Sequence, residues 1–304
     1  MSFEITILGS GAALPTSRRN PTSQYIVCND RHILIDCGEG TQMQIRKFGV
    51  KFQRIQHILI SHLHGDHYFG LVGLISTMRL LGRDKGLTIY GPSQLEDIVR
   101  SQLEAGDTIL DFDLKFVKID GDKKEMIFED NILEIHVFPL KHRIPTNGYI
   151  IREKPGERKL LSEKIKGSGL LFEHMHRLKR GEDVNLDDGR YYRNRDYTAD
   201  PKPARSFAFC SDTIYWERIA DHVERVDVLY HEATFTEKDI ERARATYHST
   251  ARQAAEIAKR ARVGRLLLGH LSARYDDVNA HESEAQVVFQ NSQVVEDGMV
   301  IKLA

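Results

Sequence analysis

Ser61-His62-Leu63-His64-Gly65-Asp66-His67 sets four potential metal ligands within six positions. The block follows an apolar run at 57–60, which reads as a strand, and precedes a helical pattern from about 67 to 81. On such a strand-to-helix turn His62 and His64 project to one side as a pair. Asp66 and His67 point from the start of the helix toward a neighbouring position, so two adjacent cation sites are expected. Imidazole and carboxylate donors suit zinc, and a catalytic zinc takes three protein ligands and keeps an open corner for water. The block alone supplies too few donors for two ions. The missing ones are sought at the ends of other strands, where an open sheet places its chemistry. His142 follows the apolar run 132–138, Asp212 follows 206–210 and His270 follows 265–268. The seven then divide as His62, His64 and His142 on one ion and Asp66, His67 and His270 on the other, with Asp212 bridging.

Working outward from the block, apolar runs bounded by turn residues predict strands at 3–8, 24–28, 31–36, 87–90, 114–119 and 132–138, and later at 206–210, 226–230, 265–268 and 299–302. Helical spacing is read at 39–48, at 93–104 behind a serine cap, and near 237–245, 249–260 and 281–289. This is an α/β pattern of two sheets covered by outer helices. The whole chain, 1–304, reads as one domain. Within it residues 152–205 lose the regular apolar spacing and become charged, with Gly156, Gly167, Gly169, Gly181, Gly189, Pro201 and Pro203 as breakers. A structureless stretch of that length is uncommon inside a compact domain unless it protrudes for a function, so it is read as an inserted arm.

Bulk properties narrow the function class. With 41% hydrophobic and 29% charged residues in 304, the chain has ordinary enzyme composition, and no apolar run approaches a membrane span. The chain opens on strand-like residues with no leader pattern, and Cys28, Cys37 and Cys210 are odd in number and lack a CxxC pair. Reduced thiols in a cytoplasmic protein are the expectation. A net charge of −1 gives no global attraction to a polyanion, but residues 151–205 carry fourteen Lys or Arg against ten Asp or Glu. A nucleic-acid substrate would find its basic surface there.

With these residues in place the chain resembles the metallo-β-lactamase superfamily, whose signature is HxHxDH, and within it the ribonuclease Z family of tRNA 3′-processing endonucleases. The likeness is carried by Phe3–Gly11, Ile35-Asp36-Cys37-Gly38-Glu39-Gly40-Thr41-Gln42, the SHLHGDH block and Phe138-Pro139-Leu140-Lys141-His142. It continues through Cys210-Ser211-Asp212-Thr213, His231-Glu232-Ala233-Thr234-Phe235, His248-Ser249-Thr250 and Gly269-His270-Leu271-Ser272-Ala273-Arg274-Tyr275. It implies a four-layer αββα sandwich with a protruding arm, the same seven ligands for two zinc ions per subunit, precursor tRNA as substrate and a homodimer. It also implies that Asp66 is the general base in addition to its place among the ligands. His248 would assist the phosphate or the departing oxygen, with Glu232 orienting it. Two departures stand out. The family loop PxKxRN reads Pro15-Thr16-Ser17-Arg18-Arg19-Asn20 here, with serine at the lysine position, and Gly167-Ser168-Gly169-Leu170-Leu171 lacks the proline of the family's arm tip.

A pair of divalent ions polarises a phosphoryl oxygen, yields hydroxide at neutral pH and stabilises the oxygen that departs. The expected reaction is therefore hydrolysis leaving a tRNA 3′-hydroxyl and a 5′-phosphorylated trailer. Two rivals are a phosphodiesterase or sulfatase of the same fold acting on small substrates, and a non-catalytic, metal-stabilised module that binds RNA or a partner chain. The His248 block, the HEAT block and the arm weigh against the first, and the full set of ligands against the second.

Overall fold

The computed structural model describes residues 2–119 and 121–303. They form two compact units: one holds the residues up to Arg152 and from Arg205 onward, the other is Glu153–Ala204.

The larger unit contains two seven-stranded sheets. In the first the spatial order is Val300–Lys302, Phe3–Gly9, Ser23–Cys28, Arg31–Ile35, Ile55–Leu59, Leu87–Gly91 and Leu114–Lys118. In the second it is Ser292–Val294, Arg265–Gly269, Val228–Glu232, Ser206–Cys210, Thr146–Glu153, Leu133–Leu140 and Glu125–Glu129. Each sheet has a parallel block of four strands, from Arg31 to Lys118 in the first and from Ser206 to Val294 in the second. The inner strands of such blocks are buried on both faces, which is why they read as continuous apolar runs. Leu267 faces the layer between the sheets, with Ile33, Ile35, Leu59, Val137 and Phe209, while Leu266 and Leu268 face the helices 251–261 and 279–288. Ile58 and Ile60 likewise turn outward to the helices Thr41–Lys47, Leu71–Leu80 and Leu95–Ala105. Three apolar layers between two sheets and two helical coats make the αββα sandwich.

Several expected elements are altered. The helix read at 67–81 is two, Gly65–Tyr68 and Leu71–Leu80. Gly70 lies between them with its N–H on the Cys37 carbonyl at 2.9 Å, and a Cβ there would stand 2.2 Å from the Gly38 oxygen. Only glycine tolerates that approach. The serine cap at 93 is not formed. Ser93 Oγ meets Gln94 Oε1, Leu95 N–H donates to Pro92 O at 3.0 Å, and the helix begins at Leu95 without a side-chain cap. The strands Glu125–Glu129, Thr146–Glu153 and Ser292–Val294 were not expected.

The smaller unit corrects the reading of 152–205 as structureless. It pairs Lys159–Leu160 with Thr198–Ala199 and Val184–Asn185 with Tyr191–Tyr192, and holds the helices Ser162–Ile165, Phe172–Lys179 and Asn194–Tyr197. Leu178, Val184 and Tyr192 form its core, backed by Leu160, Ile165, Leu170, Leu186 and Tyr197. The core is too small and irregularly spaced to show as periodicity.

Candidate metal centre

Both parallel blocks end at the same place, and their carboxyl ends carry the site. Asp36 follows Arg31–Ile35, the block Ser61–His67 follows Ile55–Leu59, Asp212 follows Ser206–Cys210, Glu232 ends Val228–Glu232 and His270 follows Arg265–Gly269. His142 arrives from the antiparallel strand Leu133–Leu140. Asp36 and His270 both sit at φ 55°. A left-handed conformation in a residue with a Cβ is costly and persists where the surroundings hold it, as at functional sites.

The donors converge in two sets. His62 Nε2 is 3.0 Å from His64 Nδ1, which is 3.3 Å from His142 Nε2. Asp212 Oδ2 lies 3.7 Å from His62 Nε2 and 3.8 Å from His142 Nε2. In the second set Asp66 Oδ2 is 3.4 Å from His67 Nε2 and 3.5 Å from His270 Nε2. Asp212 Oδ1 is 3.4 Å from His67 Nε2 and 3.1 Å from His270 Nε2. Asp212 thus turns one oxygen to each set. A tetrahedral zinc with ligands at about 2.0–2.1 Å keeps its donors roughly 3.3 Å apart, so both sets fit a cation of that size.

Supporting residues fix which nitrogen four of the five rings offer. His142 Nδ1 donates to the Tyr247 carbonyl at 2.8 Å, leaving Nε2 with its lone pair. Asp36 accepts from Ser61 N–H, Ser61 Oγ–H and His67 Nδ1–H, the last at 2.7 Å. Ser61 Oγ, its own proton committed to Asp36, accepts from His62 Nδ1 at 3.0 Å and from Ser211 Oγ at 3.0 Å. Thr234 Oγ1 donates to Glu232 and accepts from His270 Nδ1 at 3.0 Å. The Nε2 atoms of His67 and His270 are consequently buried without a hydrogen-bond partner. Acceptors aimed at one another in a buried space repel unless a cation lies between them.

The electrostatics agree. Burial holds His62, His64 and His142 below the ordinary imidazole value, hence neutral and able to ligate. For His67 burial acts the same way, but Asp212, Asp36 and Asp66 outweigh it and hold the ring well above 6.5. Those three carboxylates demand a positive charge in their midst. Asp66, although burial pushes it up, is kept well below the usual carboxylate range by His67 and His270.

All nine residues singled out from the sequence come together. His248 Nδ1 is 2.9 Å from Glu232 Oε1, and its ring lies 5.1 Å from that of His142 and 5.5 Å from that of His270. The HST block divides its labour. His248 faces the centre, Ser249 Oγ–H donates to Thr213 O at 2.7 Å, and Thr250 caps the helix Ala251–Ala261 in a capping box with Gln253. The parts played by Asp36, Ser61, Ser211 and Thr234 were not foreseen. Their signal was only that each lies in one of the blocks that carry the family likeness.

The model described as anti-Pycsar protein Apyc1 matches residues 3–154, and that described as a beta-lactamase superfamily domain matches residues 172–271. The metallo-beta-lactamase fold protein YhfI of Bacillus subtilis superposes with a TM-score of 0.70, covering 100% of each chain at 19% identity. Fold and paired clusters together define a protein of the metallo-β-lactamase class. Human tRNase Z, short form, superposes with a TM-score of 0.71 at 28% identity, covering 98% of each chain. Ribonuclease Z of Parabacteroides distasonis is 45% identical over 98% of both chains. The chain belongs to the ribonuclease Z family.

Proposed function

We propose that this chain is a zinc-dependent tRNA 3′-processing endonuclease that removes the trailer from precursor tRNA, leaving a 3′-hydroxyl on the tRNA and a 5′-phosphate on the trailer. The observation that carries the reading is Asp212, whose two oxygens serve two separate sets of donors. His62, His64 and His142 would hold one zinc, Asp66, His67 and His270 the other, and Asp212 would bridge them. Bound there, the ions supply Lewis acidity toward the phosphoryl oxygens and lower the pKa of water. The chain's own groups do the rest. Asp66 stays ionised, and its carboxylate directs the proton of the attacking water. Burial opposes protonation of His248, yet the Glu232 carboxylate beside it raises its pKa to about 9. It therefore carries a proton at neutral pH. With Nδ1 held by Glu232, His248 donates from Nε2 to the departing 3′-oxygen.

The arm is read as the docking surface for the body of the tRNA. Several of its cations are paired internally, as in Arg158–Asp200, Lys179–Glu157, Arg180–Glu182 and Arg190–Asp188. Lys164 and Lys166, by contrast, have no carboxylate partner among the described residues, and they stand close in sequence to exposed Leu171 and Phe172. Ammonium groups and an exposed ring suit phosphates and unstacked bases. A cytoplasmic homodimer completes the reading. The three free cysteines are consistent with a reducing compartment, and exposed Met43, Phe69 and Leu80 are apolar surface that a pair of subunits would bury.

The test is an end-mapped cleavage assay on a precursor tRNA transcript, with Asp66→Ala and Asp212→Ala beside the parent protein. Both variants should lose activity by orders of magnitude. Near-parental cleavage by either would remove the assignment.

A further inference from the structure

We propose that Asp297, on the turn between Ser292–Val294 and Val300–Lys302, is a positioning residue for Asp66, acting through the loop that runs from Ser10 to Asn20. The inference rests on the role given to Asp66 above.

Five donors converge on this one carboxylate. Oδ1 accepts from Ser10 N–H at 3.0 Å and Ser10 Oγ–H at 2.8 Å, while Oδ2 accepts from Asn20 N–H at 2.8 Å, Asn20 Nδ2 at 3.1 Å and Gln44 Nε2 at 3.0 Å. None of the five is a cation, so the group supplies acceptor capacity and not a salt bridge. Ser10 and Asn20 are the two ends of one loop, and Gly11 N–H on Asn20 O at 2.9 Å closes the same neck. Inside the loop Ala13, held at φ 57°, donates its N–H to Asp66 Oδ2 at 2.9 Å. Its neighbours Gly11–Ala12 pair with Leu271–Ser272, immediately after His270. The loop therefore touches both the histidine-rich turn and the residues that directly follow the last donor, and Asp297 shuts its neck from nearly 290 residues away in sequence. A left-handed alanine needs such an anchor, because an unrestrained loop would relax it and withdraw its N–H.

An amide cannot replace the carboxylate. In Asp297→Asn the amide oxygen serves one set of donors and the NH2 group meets the other, either Ser10 N–H or Asn20 N–H.

Trypsin reads the loop directly, since Arg18 and Arg19 lie in it. In the full-length protein, Asp297→Asn should raise cleavage at these two arginines about tenfold or more while the thermal midpoint moves by only a few degrees. On bis(p-nitrophenyl) phosphate, kcat should fall about tenfold with KM and metal content unchanged. Should that variant not fold, Asn20→Asp sets a second carboxylate against Asp297 and should give the same pair of changes. A loosened loop with parental kcat overturns the proposal, and so does a loop no more open to trypsin than before. Full activity of Asp66→Ala would instead end the role of Asp66 itself, and the trypsin result separates the two failures.

Discussion

Glu232→Gln changes one atom's chemistry at a buried point and tests the centre's hydrogen-bond logic most sharply. Glu232 Oε1 accepts from Thr213 N–H at 2.8 Å and His248 Nδ1–H at 2.9 Å, and Oε2 accepts from Thr234 N–H at 3.1 Å and Thr234 Oγ1–H at 2.6 Å. An amide accepts at its oxygen only. With that oxygen toward Thr213 and His248, the NH2 group faces Thr234, whose N–H loses its acceptor and whose hydroxyl must turn to accept. The hydroxyl proton then points at His270 Nδ1, 3.0 Å away, and drives that ring to the tautomer with no lone pair toward the cation site. With the amide reversed, His248 Nδ1–H meets the NH2 group and loses its acceptor, and in both orientations the negative charge that keeps the ring protonated is gone. Either way a buried donor goes unmatched, which costs about 1–3 kcal/mol. Falling on the transition state, that is roughly one to two decades in rate. Steady-state cleavage of a precursor tRNA transcript, with metal content measured on the same samples, should show kcat down by about 10–100-fold and KM little changed. Parental kcat with full metal content would refute the whole relay from Glu232 through Thr234 to His270.

Three further outcomes follow from the same contacts. Ser61→Ala removes the acceptor of His62 Nδ1–H and one donor to Asp36, so metal affinity measured by chelator competition should fall about 10–100-fold; unchanged affinity would show that the hydroxyl does not hold the ring. In chelator-treated protein, His248 at about 9 against an ordinary 6.5 contributes stability that is complete below pH 6.5 and lost as pH rises through about 9, at most about 3 kcal/mol. Urea titrations from pH 6 to 10 should show that loss in the parent and not in Glu232→Gln. Deleting residues 155–200 should cut cleavage of precursor tRNA, flatten its salt dependence and spare bis(p-nitrophenyl) phosphate; equal loss on both substrates would deny the arm its docking role.

Much of this was legible in the sequence because parallel strands buried on both faces leave unbroken apolar runs, and because the donors lie within a few residues of those runs. The strand Thr146–Glu153 was not legible for a definite reason. It opens with Asn147-Gly148, which reads as a turn. Gly148 is in fact a packing glycine, for a Cβ there would stand 2.3 Å from the Phe138 ring. Glu125–Glu129 is an edge strand with charged ends, made by its pairing with Leu133–Leu140 and not by its own pattern. At the site, the ligands could be picked out by type and spacing. Ser61 and Thr234 could not, since a hydroxyl's role is set by which lone pairs and protons meet it in three dimensions. Asp297 is further still from legibility, because five contacts on one carboxylate leave no local mark.

The donors are gathered from both sheets, with four from the turn at 62–67 and three from positions 142, 212 and 270, while the strand Val300–Lys302 lies against Phe3–Gly9. A growing chain on the ribosome therefore cannot assemble the centre until at least residue 270 has emerged, and the first sheet lacks an edge until residue 302 has. Partial products of translation that stop short of residue 270 therefore lack one of the seven donors.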